Sequence, residues 1–200
     1  MTRDNIIKKV KARIDELSPF SDEELNPAIS LIDELLNDST ITILMILPLY
    51  LLEPETIDTT TLVSNDRIGK LVLPNDFIRL YSFKMVGWST EVSEAISTHN
   101  PKYKLQKHKV TMGGTSKPVV VIKSTKTNKV LHYYSLPSGA THTVEEALYV
   151  KANLPENLTD NLTDFIAWQC ASDVLLSMEM GDLSLKAKEK LFELINIKAI

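Results

Sequence analysis

Apolar residues near the start of the chain recur at Ile6, Ile7, Val10, Ile14 and Leu17, the spacing of one face of an α-helix. Lys8, Lys9, Lys11 and Arg13 fall on the opposite face, which reads as solvated, while Asp4 and Pro19 mark the two ends. A second helix is predicted from Pro27, whose fixed φ suits a first turn. It continues through Ile29, Leu31, Ile32, Leu35 and Leu36 and ends in the polar run 37–40. Residues 41–52 are apolar on nearly every side. Such a segment needs burial all round, so it is expected as a central helix, kinked or ended near Pro48. The Thr-rich run 53–65, with Pro54, reads as a linker.

From Lys70 the period shortens to two. Leu71 and Leu73 lead into a Pro74-Asn75-Asp76 turn, and a strand follows over 77–88, with Phe77, Arg79, Tyr81 and Phe83 alternating with Ile78, Leu80, Ser82 and Lys84. Further strands are predicted at 117–123, 130–136 and 146–152, with polar 124–129 as a hairpin loop. Residues 99–116 follow neither period and contain Pro101, Gly113 and Gly114. They read as a long loop, and loops beyond about 12–15 residues usually have a function, so this segment is the candidate contact region.

Helical spacing then returns. Thr159 or Asp160 is placed to cap a helix whose stripe is Leu162, Phe165, Ile166, Gln169, Asp173, Leu176 and Met180. Gly181 is expected at its C-terminal turn, and Ser184 is expected to cap a last helix bearing Leu185, Leu191, Phe192, Leu194 and Ile195. The predicted fold class is α+β. Residues 1–64 and 153–200 supply a helical bundle, because each carries an apolar face that needs a partner, and residues 65–152 form an inserted small β-sheet segment.

Charge changes this picture. No acidic residue lies between Glu94 and Glu145, where eight lysines do, so a net charge of −4 leaves −12 on the remainder. Such segregation points to an anionic partner, or to docking of basic middles against acidic ends of neighbouring copies. Lys102, Lys104, Lys107, Lys109 and Lys117 are the candidate interface residues.

No chemistry-bearing constellation competes with that reading. His99, His108, His132 and His142 lack metal-ligand spacing, and no HExxH, CxxC or EF-hand sequence occurs. The adjacent pairs Glu23 with Glu24 and Glu145 with Glu146 point apart on a helix or strand. Cys170, the single cysteine, falls in the strongest helical pattern and reads as a small buried hydrophobe. Residues 112–117 hold two glycines and a lysine but lack a phosphate loop's second spaced glycine and Gly-Lys-Ser/Thr ending, so they read as a turn. No catalytic residue, cofactor or metal is therefore assigned, and an enzyme is not expected. Residues 1–11 lack the apolar stretch of a signal peptide, which with the lone cysteine suggests a reducing, cytoplasmic origin. The apolar run of 12 residues at 41–52 falls short of the roughly 20 that span a bilayer, so no membrane contact is expected.

The stretch Leu73-Pro74-Asn75-Asp76-Phe77-Ile78-Arg79-Leu80 leads to Gly87-Trp88. Lys117-Pro118-Val119-Val120-Val121-Ile122, Leu131-His132-Tyr133-Tyr134 and Leu154-Pro155-Glu156-Asn157-Leu158 then precede a long helix. Over about residues 40–195 this succession resembles the head–tail connector (adaptor or ring) proteins of tailed bacteriophages, most of all those of short-tailed crAss-like phages. The resemblance implies a helical bundle with a β-rich insertion, assembled as a homo-oligomeric ring, a dodecamer, below the portal. Its partners would be the portal protein and other tail or ring proteins, with DNA passing through the lumen without sequence-specific contact. It also implies a virion component made in the host bacterial cytoplasm, without catalytic residues. The basic loop is less expected there, because a channel that must release DNA gains little from tight phosphate binding. The rival reading is a nucleic-acid-binding module that uses the same lysines, with Tyr103, Tyr133 and Tyr134 stacking on bases.

Overall fold

The computed structural model describes residues 2–17, 22–106, 108 and 111–198; Pro19, Lys107 and Lys109 lie outside them. The chain divides into two compact units, Met1–Leu52 with Ala152–Ile200, and Glu53–Lys151. The first holds the helices α1 (Arg3–Leu17) and α2 (Asp22–Ile46). The second holds the strands β1 (Glu55–Thr56), β2 (Val63–Asn65), β3 (Ile68–Val72) and β4 (Phe77–Met85), the short helix α3 (Pro101–Leu105), and β5 (Val120–Ser124), β6 (Lys129–Tyr133) and β7 (Val144–Lys151). The chain returns to the first unit for α4 (Thr163–Ser177) and α5 (Gly181–Lys198). Helices at both ends and antiparallel sheets between them make the fold α+β.

In the helical unit α1 buries Ile6, Val10 and Ile14, the face its periodicity marks. Its basic face is not simply solvated: Lys9 Nζ and Arg13 Nη2 each stand 3.2 Å from Asp164 Oδ1, and the Arg13 guanidinium lies 5.1 Å from the Trp168 ring centre. The polar run 37–40 does not end α2. Thr40 Oγ1 donates to Leu36 O at 2.7 Å and Thr42 Oγ1 to Asp38 O at 3.0 Å, so these hydroxyls find acceptors inside the helix and leave its ladder intact. The helix stops at Ile46, before Pro48.

Residues 41–52 are not the central element, since Met45 and Tyr50 are 54% and 59% exposed. That place belongs to α4, which packs against α1, α2 and α5 and buries residues on all sides, Phe165, Ile166, Trp168 and Val174 among them. Small residues permit the close approach: Ser172 Oγ donates to Ser184 O at 3.1 Å and lies 2.9 Å from Ser184 Oγ, with both residues buried.

None of the three expected caps forms as predicted. A short 3-10 turn, Asp160–Leu162, leads into α4 with no side-chain N-cap, and Thr163 Oγ1 donates to Asp160 O at 2.7 Å. At the far end Met180 N–H donates to Leu175 O and Glu179 N–H to Leu176 O, a Schellman closure whose left-handed residue is Glu179, at φ 61°. Gly181 opens α5, and Ser184 sits buried within α5 where its oxygens meet Ser172.

The β-rich unit holds two antiparallel sheets rather than one, ordered β1-β7-β4 and β2-β3-β6-β5. The run expected as linker supplies β1, paired with β7, and β2, paired with β3. The Pro74–Asp76 turn does not close a hairpin: it hands the chain from β3, which pairs with β6, to β4, which pairs with β7. Register shifts along β4 break strict alternation, so that Phe77, Leu80, Phe83 and Met85 all reach the core although period two would send Leu80 to the other face. The β5–β6 hairpin forms as predicted, with Ser124 opposite Lys129. One core joins both sheets: Phe83 meets Trp88 edge-on and lies 5.8 Å from Tyr133, whose hydroxyl is 2.7 Å from His142 Nδ1. Gly69 faces Tyr133 across β3 and β6, and a Cβ there would fall 2.2 Å from the Tyr133 hydroxyl oxygen.

Candidate interface segment

The described residues of the long loop make hydrogen bonds to one another. Asn100 Oδ1 accepts from Lys102 N–H at 2.9 Å and caps α3, with Pro101 in its first turn. Gln106, buried, donates to Lys102 O at 3.0 Å and accepts from Gly113 N–H at 3.0 Å, so one amide ties α3 to the glycine turn. Tyr103 lies edge-on to Tyr134 at 6.4 Å, and Lys123 Nζ stands 5.1 Å from the Tyr103 ring centre.

On this frame Lys102 and Lys104 project from α3, exposed, beside exposed Leu105; Lys117 is exposed beyond the glycine turn. None of the three forms a salt bridge or side-chain hydrogen bond among the described residues. The contrast lies with cations of the same unit that are paired, Lys84 with Glu145 at 2.6 Å and Lys151 with Asp76 at 3.8 Å. Two lysines of the acid-free stretch serve the fold instead: Lys123 over Tyr103, and Lys129, whose Nζ donates to Phe77 O at 2.9 Å. The charge count alone does not separate such structural lysines from free ones.

Two of the three tyrosines that the rival reading needs as base platforms are enclosed, while Tyr103 is half-buried. Tyr133 and Tyr134 are buried, and burial pushes both phenols up to about 12. Burial also lowers the pKa of His132, with Lys123 and Lys70 adding to the effect. Cys170 is buried, its thiol pushed up to about 12 by desolvation, and has the environment of a packed residue rather than of a nucleophile.

Sequence reasoning passed over an exposed apolar stripe. Leu185 and Phe192, seven residues apart on α5, are 62% and 54% exposed, and Ile197 beyond them is 70% exposed. Seven residues is nearly two turns, so Leu185 and Phe192 share a face. The sequence groups both simply with the apolar residues of the last helix; the position of Ser184, Ala187 and Leu191, which form its buried face, separates them. Among the described residues no helix is long and apolar enough to cross a membrane. A scan of the sequence against protein-family models finds no match, and neither does a search of curated proteins.

Proposed function

We propose that this protein is a structural subunit of a homo-oligomeric ring, a component of the head-to-tail connector of a tailed bacteriophage virion, through whose lumen DNA passes. The observation that carries the reading is the set of exposed, unpaired lysines at 102, 104 and 117, in a chain whose remaining sequence carries −12. Copies that present a basic segment to an acidic surface of the next copy make a heterologous contact, and such contacts close into rings when the rotation allows. The exposed stripe of Leu185 and Phe192 offers apolar area that such a contact would cover. The portal and other ring or tail proteins would be the further partners. The reading assigns no catalytic residue and no cofactor.

Charge reversal tests it. Lys102→Glu with Lys104→Glu and Lys117→Glu should leave the fold unchanged, because none of the three is internally paired among the described residues. It should lower self-association and portal binding measured by analytical ultracentrifugation. Unchanged association with both would sink the assignment of this segment. The nucleic-acid reading has less support, because Tyr133 and Tyr134 are enclosed. It requires DNA binding at about 50 mM salt that falls steeply as salt is raised.

A further inference from the structure

The β-rich unit contains a cavity of about 310 Å³ lined by residues from three separate segments: Arg67, the turn Met112-Gly113-Gly114-Thr115, and Ser135 through Ser138. Ser135 is the anomalous member. It is 2% exposed, its backbone has φ 80°, and its Oγ has no hydrogen-bond partner among the described residues. An unmet buried hydroxyl and a left-handed non-glycine backbone both cost stability, and such residues concentrate where a site is held ready for a ligand.

The other walls supply donors. Gly113 lets its turn approach Ser135: a Cβ there would stand 2.7 Å from Lys117 O and 3.1 Å from Ser135 Oγ. A Cβ at Gly114 would meet nothing within 4 Å. The backbone N–H groups of Gly114 and Thr115 have no acceptor among the described residues. Arg67 lies in the two-residue turn between β2 and β3, anchored where its carbonyl accepts from Leu136 N–H at 3.3 Å. Its guanidinium makes no ion pair or hydrogen bond among the described residues. Asp66, next to it, is engaged by Ser138 Oγ at 2.7 Å and is not part of the lining, which among the described residues holds one cation and no carboxylate.

We infer that this cavity binds the phosphate group of a small phosphate monoester. The Arg67 fork supplies charge-assisted donors, Ser135 gains the acceptor it lacks, and the Gly114 and Thr115 N–H groups meet a third oxygen. Donors from three directions suit the three free oxygens of a phosphate better than the two of a carboxylate. The volume is at the small end for ligand pockets, which fits a phosphate with a short attached group. The 112–117 turn does not follow the phosphate-loop pattern because only two of its amides take part, the charge coming from Arg67 some 45 positions earlier in sequence. This inference is independent of ring assembly.

The test uses the full chain, with thermal unfolding and calorimetric titration at constant ionic strength against inorganic phosphate, glycerol 1-phosphate and acetate. Wild type should bind both phosphates saturably, the ester more tightly, with acetate without effect. Arg67→Ala and Ser135→Ala should each weaken binding roughly tenfold or more, the cost of a lost charge-assisted bond. Ser135→Ala removes an unmet hydroxyl, so it should fold at least as well as wild type and keep the test clear of misfolding. Binding of inorganic phosphate alone would assign the site to the free ion and overturn the monoester. No saturable phosphate binding, equal binding of acetate, or affinities unchanged in both variants would overturn the site.

Discussion

Ser39 Oγ donates a 2.7 Å hydrogen bond to Asp173 Oδ2, joining α2 to α4 across 134 positions of sequence. Gln169 Nε2 donates to both oxygens of the same carboxylate, at 2.9 and 3.0 Å. The two ends of the chain are therefore tied by a polar cluster as well as by apolar packing. Removing the acceptor strands two donors, so Asp173→Ala should cost about 2–3 kcal/mol, and Ser39→Ala about 1 kcal/mol. Urea unfolding followed by circular dichroism checks both; equal, negligible losses would show that the cluster does not hold the bundle.

Glu179 occupies the left-handed position that closes α4. A side chain pays there what glycine does not, so Glu179→Gly should stabilise the protein by about 1 kcal/mol, visible as a higher urea midpoint at unchanged slope. A loss of stability would mean that the Glu179 side chain contributes more than its backbone costs.

Gly69 lies under the ring of Tyr133, which is wedged by Phe83 and Trp88 and held at its hydroxyl by His142. The ring has no room to retreat. Gly69→Ala should cost about 3 kcal/mol, at the upper end for overpacking, and should perturb the near-ultraviolet signal of the aromatic core. A variant with wild-type stability would contradict this packing.

His132 carries a pH dependence. Burial, then the charges of Lys123 and Lys70, hold its folded pKa below the ordinary 6.5. Between that lowered value and 6.5 the unfolded chain binds a proton that the folded chain does not, so stability rises with pH through this window. The contribution is complete above 6.5 and is lost on acidification. His132→Gln should flatten the change in urea midpoint between pH 7.5 and 5.5 relative to wild type; an identical change in both would exclude His132 as its source.

Legibility in the sequence followed the range of the interaction. The helix α1, the β5–β6 hairpin and strand β7 rest on local periodicity and were readable from it. What failed depended on partners distant in sequence. The polar run 37–40 reads as a helix end because nothing nearby in sequence shows that Asp173 satisfies Ser39. Gly181 reads as a terminator because glycine favours the left-handed position, which Glu179 takes two residues earlier. Sequence neighbours usually pair, which predicts a hairpin across Asp76, whereas β-bulges and the second sheet redirect β4. In the basic segment the acid-free run was evident, but the lysines left unpaired could be separated from Lys123 and Lys129 only once the folded positions of Tyr103 and Phe77 were known. Lys107 and Lys109 lie outside the described residues.

Electron microscopy of the purified protein, alone and mixed with a tailed-phage portal protein, reads the proposed ring assembly directly. Wild type should form closed rings of uniform rotational symmetry, and these should be lost when Lys102, Lys104 and Lys117 are changed to glutamate. Single, unassociated particles for wild type in both conditions would contradict it.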